Sequence, residues 1–146
     1  MSIVDKELKR SIILDNYQNS YHRDRCDGND CYIKINSRNV SCIDNIDLYV
    51  RVEDNIIKEI YFDGEACVIS ISSASIMCRL LEGKTIDEAL EIIDNYDNMI
   101  EEKDFNSEIL EDAIVYDDVA TQPSRKKCAT LTWNGLYKRL LELKEQ

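Results

Sequence analysis

The sequence predicts a domain that combines a small antiparallel sheet of three strands with several helices. Residues 46 to 52 alternate apolar and polar side chains, as a strand with one buried and one solvated face does. After Cys67 the apolar spacing changes to the three- and four-residue steps of helices, and the last such stripe runs from Ala129 to Leu143. We therefore expect helices to cover one face of the sheet and solvent to contact the other.

The first 42 residues predict a helix, a loop, a strand and a second loop. Residues 4 to 17 repeat apolar side chains every four positions, which is typical of a helix. Residues 18 to 30 are polar and rich in turn formers, so we expect a loop. Residues 31 to 35 alternate, so that Cys31 shares an apolar face with two isoleucines, and a further loop ends at Cys42.

The central part of the chain predicts a hairpin followed by a helix. The strand over 46 to 52 is followed by a turn at residues 53 to 55 and by a partner strand over 56 to 62. Residues 68 to 82 fit a helix packed on the sheet, and Gly83 is placed to end it.

Two further helices are expected before the chain ends. Thr85 and Glu88 have the spacing of a capping box, which predicts a helix that continues to about Tyr96. Residues 97 to 122 are acidic and carry no clear pattern, apart from a short helix predicted over 108 to 115. The final helix follows the chain break expected at the single proline.

Composition limits the classes of protein to which the chain can belong. A length of 146 residues with 44% hydrophobic residues predicts one domain over 1–146 with a substantial core. We expect no membrane association, because no run of 18 apolar residues occurs, and a cytoplasmic location, because the first residues lack the pattern of a secretory signal. The net charge of −11 favours solubility and argues against binding nucleic acid.

Three of the six cysteines lie where a thiolate would be stabilised. Cys42 precedes a predicted strand, whereas Cys67 and Cys128 lie at predicted helix starts, where free N–H groups and the helix dipole favour the charged form. The basic run Arg125–Lys127 acts in the same direction at Cys128, although it can equally be a solvated patch. A thiolate is the form that binds a metal ion or attacks sulfur.

Asp44 completes a candidate ligand set. It lies two residues after Cys42, so in an extended segment both side chains point to the same face. Together with Cys67 and Cys128 they supply four ligands, the number that a tetrahedral zinc site requires. The alternative for any one cysteine is a small buried apolar residue.

The other cysteines and the single histidine predict no second metal site. We expect Cys31 and Cys78 to be core residues, one on a strand and one inside a helix. Cys26 and Cys31 have the spacing of half a zinc site, but no second half follows. His22 is expected in a surface loop, and one histidine excludes a site with several histidines.

Four segments resemble the SufU proteins of the IscU/NifU scaffold superfamily. GEACVISISSASIM (64–77) resembles the family pattern GxGCxISxASASMM, and PSRKKCATLTWNGLYK (123–138) resembles PxRxKCATLxW. SRNVSCIDNIDLYV (37–50) is similar to NNPxCGDxI followed by a strand, and LKRSIILDNYQN (8–19) resembles the opening helix of the family. The resemblance extends over essentially the whole chain.

The resemblance implies an α+β fold of the SufE/NifU and IscU type and a role in iron–sulfur cluster biogenesis. It implies one zinc ion bound by Cys42, Asp44, Cys67 and Cys128. It also implies that a SufS-type cysteine desulfurase passes persulfide sulfur to Cys42, that Arg125 docks this partner, and that downstream assembly proteins receive the sulfur.

Departures from the two related patterns affect what we expect. Lys127 precedes Cys128 where IscU-type scaffolds carry a histidine ligand, and the 61-residue spacing from Cys67 to Cys128 matches the insertion typical of SufU. Ile43 replaces the glycine of the family, and Val40 replaces its proline. A β-branched residue rarely adopts a positive φ, so we expect the loop between Cys42 and Asp44 to differ in shape.

Three functions are compatible with these candidate ligands. The first is a zinc-dependent sulfurtransferase that relays persulfide sulfur. The second is a non-catalytic scaffold that assembles and transfers a [2Fe–2S] cluster, because thiolates suit iron as well as zinc. The third, a structural zinc domain, is disfavoured because structural sites mostly use cysteine and histidine.

Overall fold

The computed structural model describes residues 5–24, 31–39 and 43–145. Cys26, Val40 and Cys42 therefore lie outside the described residues. The described elements, in chain order, are the helix α1 (Lys6–Gln18), the strands β1 (Ile33–Arg38), β2 (Asn45–Glu53) and β3 (Ile56–Glu65), the helices α2 (Val68–Leu81) and α3 (Ile86–Ile100), a 3₁₀ segment (Ser107–Thr121) and the helix α4 (Pro123–Lys144).

The three strands form an antiparallel sheet in the order β1-β2-β3. Leu48 in the central strand pairs with Ile35 on one side and with Phe62 on the other. Asp54 and Asn55 both have positive φ, as the tight turn between β2 and β3 requires. The predicted α+β fold with a three-stranded antiparallel sheet is confirmed, and β1 and β3 each continue three residues further than predicted.

The two faces of the sheet differ in burial. Alternate residues of β2 point into the core, including Ile46 and Leu48, which are both fully buried. The other face carries charged pairs such as Arg51 with Glu59, whose atoms lie 3.0 Å apart. Tyr49 is on this outer face but is only 2% exposed; its cross-strand partners are Lys34 and Tyr61, and Lys34 Nζ lies 5.9 Å from the centroid of its ring.

The helices cover the inner face of the sheet and enclose one apolar core. α2 and α4 contact the sheet and each other, α1 lies against α2, and α3 packs against α4 and the 3₁₀ segment. Trp133 of α4 is fully buried and stacks on Tyr96 of α3, with ring centroids 3.7 Å apart. Within the described ranges, no helix is both long enough and apolar enough to span a bilayer.

The acidic stretch that carried no clear sequence pattern is largely helical. α3 continues to Ile100, and the 3₁₀ segment contains a kink at Glu111, where φ is 46° and ψ is −125°. Lys9 of α1 is 4% exposed and forms ion pairs with Asp117 and Asp118 of this segment. Because the partner of these carboxylates lies in the first helix, no local pattern could show how the segment packs.

Three interpretations made from the sequence need correction. Cys31 is exposed in a turn before β1 and is not a core residue, because the strand begins only at Ile33. His22 is not a simple surface residue: its ring stacks between Tyr21 and Tyr61, and its Nδ1 lies 2.8 Å from a carboxylate oxygen of Glu82.

The final helix begins at the proline, which therefore occupies the first turn of α4 and does not separate it from the preceding chain. The expectation that Cys78 is buried is confirmed.

Candidate metal centre

Asp44, Cys67 and Cys128 converge at one end of the sheet. One ligand atom from each, a carboxylate oxygen and two sulfurs, lies within 4.8 Å of the other two. The three residues come from different elements, since Asp44 precedes β2, Cys67 precedes α2 and Cys128 lies in α4. The fourth residue of the predicted set, Cys42, lies outside the described residues.

Cys67 is the N-cap of α2, as the sequence predicts. Its backbone is extended, with φ −70° and ψ 169°, and its Sγ accepts the N–H of Ser70 at 3.5 Å. An N-cap side chain normally accepts from one of the first free N–H groups of its helix, and here sulfur takes that role.

Asp44 is fully buried, and protein donors hold its side chain. Its Oδ1 accepts the backbone N–H of Cys67 at 2.8 Å, and its Oδ2 accepts the hydroxyl of Ser70 at 2.6 Å. Its carbonyl accepts the N–H of Asn39 at 3.0 Å, which joins the start of β2 to the end of β1. The carboxylate is therefore fixed in orientation, with Oδ2 placed 3.9 Å from Cys67 Sγ.

Cys128 does not lie at a helix start, which corrects the sequence prediction. α4 begins at Pro123, so Cys128 lies in its second turn, beyond the free N–H groups of the first turn. Its side chain is 9% exposed, and burial, together with the nearby Asp44 and Cys67, raises the pKa of Cys128 to about 12 in the metal-free protein. Without a metal ion, this group is therefore a neutral thiol at physiological pH.

A cleft of about 410 Å³ leads from solvent to the two thiols. Asn39, Cys67 and Cys128 contribute to its wall, together with exposed Arg125 and Lys127. Lys126 points elsewhere, toward Glu101, whose carboxylate lies 3.4 Å away. Two of the three basic residues noted in the sequence therefore border the cleft, although the chain as a whole carries a net charge of −11.

Ser70 is a member of the site to which no role was assigned from the sequence, although the family pattern that residues 64–77 resemble carries a serine at this position. Its hydroxyl contacts Asp44 Oδ2, and it lies 3.2 Å from the carbonyl oxygen of Cys128. The available signal was its position three residues after Cys67, because the third residue of a helix lies beside the N-cap side chain.

The described donor set suits a metal ion that accepts sulfur and oxygen ligands. With bonds of about 2.0–2.3 Å, a tetrahedral zinc ion keeps its ligand atoms about 3.3–3.8 Å apart. The separation of 3.9 Å between Cys67 Sγ and Asp44 Oδ2 is close to this range. Small side-chain adjustments would bring these atoms to bonding distance of one ion.

Comparisons with known proteins find similarity along most of the chain. Residues 8–131 match the family described as NifU-like N terminal domain. The chain is 31% identical over 141 residues to the iron–sulfur cluster assembly scaffold protein IscU of Thermotoga maritima, covering 97% of this chain and 98% of that protein. It is 35% identical over 132 residues to the zinc-dependent sulfurtransferase SufU of Bacillus subtilis, covering 90% and 88% of the two chains.

A solved structure with the same fold is that of an iron–sulfur cluster assembly scaffold protein for the SUF system from Fervidobacterium islandicum. It is similar to this chain with a TM-score of 0.80 and 29% sequence identity, over 90% of this chain and 96% of the other. The similarity extends across the sheet and the helices, so the fold around the three converging residues is a shared one.

Proposed function

The chain belongs to the NifU-like N-terminal domain family, and from that premise we propose that it acts in iron–sulfur cluster biogenesis as a zinc-dependent sulfur acceptor. The observation that carries the proposal is the convergence of Asp44, Cys67 and Cys128 within 4.8 Å of one another, where the two cysteines line an open cleft. The similarity to a relative named a zinc-dependent sulfurtransferase supports the choice of metal and of reaction.

We propose that one zinc ion per chain is held by Cys67, Cys128 and Asp44, with Cys42 as the fourth ligand. When bound, zinc would keep the thiols deprotonated and hold the four side chains at one point. Asp44 is an oxygen donor among sulfur donors, so that side of the site should exchange ligands most readily.

We propose that Cys42 accepts the sulfur from a SufS-type cysteine desulfurase. Cys42 must first cease to be a metal ligand; its thiolate then attacks the outer sulfur of a persulfide on the partner, which forms a new S–S bond to Cys42. The S–S bond of the donor breaks, and its cysteine leaves as a thiolate, so no external oxidant or reductant is needed. Cys67 caps α2 and Cys128 lies within α4, so moving either one would disturb a packed helix, which leaves Cys42 as the ligand proposed to move.

The recipient of the sulfur would be a downstream assembly protein in the same compartment. A second cysteine thiolate can take the outer sulfur from Cys42 by the same exchange, which returns Cys42 to its starting state. We place this activity in the cytoplasm.

Arg125 should matter for docking and not for metal binding. It is exposed at the rim of the cleft, three residues before Cys128, where it can pair with a carboxylate of the desulfurase. We expect Arg125→Ala to raise the concentration needed for half-maximal stimulation of cysteine desulfuration about 10- to 30-fold, the loss typical of an interface arginine. Zinc content, measured on the same sample, should stay at the wild-type level.

Arg139→Ala is the matched control for this variant. Arg139 is a partly exposed arginine near the other end of α4, where it pairs with Glu142 at 2.8 Å. Its loss should leave stimulation unchanged. Equal stimulation by the Arg125 and Arg139 variants would exclude Arg125 from the interface, and loss of zinc from the Arg125 variant would make its role structural.

The second candidate function is a scaffold on which a [2Fe–2S] cluster is assembled and transferred. The similarity over 97% of the chain to a relative named a scaffold favours it, and two thiols with a carboxylate can hold iron as well as zinc. The exposed Lys127 supports the zinc proposal, because it precedes Cys128 where IscU-type scaffolds carry a histidine ligand.

Elemental analysis and a visible absorption spectrum of the purified protein distinguish the two functions. A colourless protein with one zinc per chain supports the sulfur acceptor. A brown protein that contains iron and sulfide supports the scaffold and overturns the first proposal.

A further inference from the structure

Ser70 contacts all three segments that carry the described candidate ligands. Its Oγ lies 2.6 Å from Asp44 Oδ2, 3.2 Å from the carbonyl oxygen of Cys128 and 3.5 Å from Cys67 Sγ. The residue is 1% exposed, so water hardly competes for these contacts. A hydroxyl has one proton to donate, and the nearer of its two oxygen acceptors is the carboxylate of Asp44, whereas the thiol of Cys67 donates to the hydroxyl.

The two oxygens of Asp44 have different surroundings. Oδ1 accepts the backbone N–H of Cys67 and so fixes the carboxylate to the start of α2. Oδ2 lies 3.9 Å from Cys67 Sγ, which makes it the oxygen placed to share a metal ion with that thiol. The hydroxyl of Ser70 is therefore bonded to the oxygen that a metal would use.

We infer that Ser70 is a positioning residue that weakens the hold of Asp44 on a bound metal ion, an inference that rests on the proposed function. In the metal-free protein, the hydroxyl of Ser70 bonds to a carboxylate oxygen from which no metal ion withdraws electron density. A bound metal would withdraw part of that electron density, so the same hydrogen bond would stabilise the metal-bound protein less. The difference lowers metal affinity because it weakens the bond that Asp44 would make to the metal ion.

The orientation of Asp44 does not depend on Ser70 alone. The side chain is fully buried, and Oδ1 keeps its bond to the backbone N–H of Cys67 whether or not the hydroxyl is present. Removing the hydroxyl should therefore leave the carboxylate in place and free Oδ2 from a competing donor. Loss of the Ser70 hydroxyl is therefore expected to strengthen metal binding. A hydrogen-bond partner that only orients a metal ligand has the opposite effect, because its loss typically weakens metal binding about 10- to 100-fold.

The test measures binding of cobalt(II) and zinc by the full-length protein and its Ser70→Ala variant. We expect the variant to bind zinc about three- to tenfold more tightly and to release it to a chelator more slowly, because the lost hydrogen bond to a charged group stabilises mainly the metal-free form. The visible bands of the cobalt(II) protein should shift, since the donor strength of Asp44 changes. Ser70→Thr, which keeps the hydroxyl, should restore wild-type affinity.

Two comparisons separate this role from a general effect on folding. Ser75→Ala removes an equally buried hydroxyl of α2, bonded to Asn16, and should leave metal affinity unchanged. In an Asp44→Ala background, Ser70→Ala should also leave affinity unchanged, because the two residues act through one contact.

Unchanged or weaker metal binding by Ser70→Ala would overturn the inference while leaving the metal site itself in place. A Ser70→Ala effect of the same size in the Asp44→Ala background would overturn it as well. Absence of zinc and cobalt binding by the wild-type protein would overturn the proposed function, and the inference with it.

Discussion

Cys67→Ala and Cys128→Ala should each purify with less than about a tenth of the wild-type zinc. Each change removes one of the two described thiols of the site, and a zinc ion with three or fewer protein ligands is held far more weakly. Metal content per chain, measured by elemental analysis, checks this directly. Cys67→Ser should lose zinc as well, although its hydroxyl can still cap α2, so the loss does not depend on the cap.

Cys31→Ser and Cys78→Ala are the matched controls and should keep their zinc. Cys31 is exposed in a turn and Cys78 is buried within α2, and neither belongs to the group of converging ligands. Equal zinc content in Cys67→Ala, Cys128→Ala and the two control variants would refute the assignment. Removing zinc with a chelator should lower the melting temperature of the wild-type protein, because the unfolded chain has no preformed site.

Zinc affinity should rise with pH because zinc must displace a proton from Cys128. Burial raises the pKa of this thiol to about 12 in the metal-free protein, so the group is protonated at neutral pH. The apparent affinity should therefore increase about tenfold per pH unit for each displaced proton. A competition titration with a chelator of known pH dependence measures this slope.

Gly64→Ala should lower the free energy of unfolding by about 3 kcal/mol or more. A Cβ at this position would lie 2.1 Å from the carbonyl oxygen of Asn45 and 2.9 Å from the Cα of Ile46, both in the paired strand. The φ of Gly64 is 144°, a conformation that residues with a side chain rarely adopt, so backbone strain of about 1–3 kcal/mol adds to the clash. Urea unfolding of the metal-free protein, followed by circular dichroism, measures the loss.

Gly83→Ala provides the comparison, because this glycine also has a positive φ, of 88°, but a Cβ added there would have no neighbouring atom within 4 Å. The free energy of unfolding of this variant should fall only by the backbone strain, which is about 1–3 kcal/mol. Equal losses in the two variants would show that β2 can move away from Gly64. Because Gly64 pairs with Ile46, two residues after Asp44, and precedes Cys67 by three residues, its substitution should also reduce zinc binding.

Local patterns were sufficient to predict the sheet and most of the helices. The alternation in β2, the turn before β3 and the capping box of Thr85 and Glu88 each depend on residues close in sequence, and all three are found in the structure. The 3₁₀ segment was only partly predicted because its packing depends on Lys9, which lies 108 residues before its partner Asp117. The start of α4 was misplaced because proline ends some helices and is favoured in the first turn of others.

The features of the candidate site that could be predicted are those that depend only on residues close to each ligand in sequence. Cys67 is recognisable as an N-cap from the change in apolar period that follows it. The raised pKa of Cys128 is not recognisable from the sequence, because it depends on burial in the folded chain and on Asp44 and Cys67 from other segments. The contact between Ser70 and Asp44 joins residues 26 positions apart, so only the fold reveals it.

Mass spectrometry of the protein after reaction with a SufS-type desulfurase and cysteine tests the central claim most directly. The mixture is alkylated and digested without reductant, and the cysteine peptides are weighed. The proposed function predicts one additional sulfur on the Cys42 peptide, and Cys42→Ala should abolish stimulated turnover. An additional sulfur found mainly on the Cys67 or Cys128 peptide, or on none of the three, would contradict it.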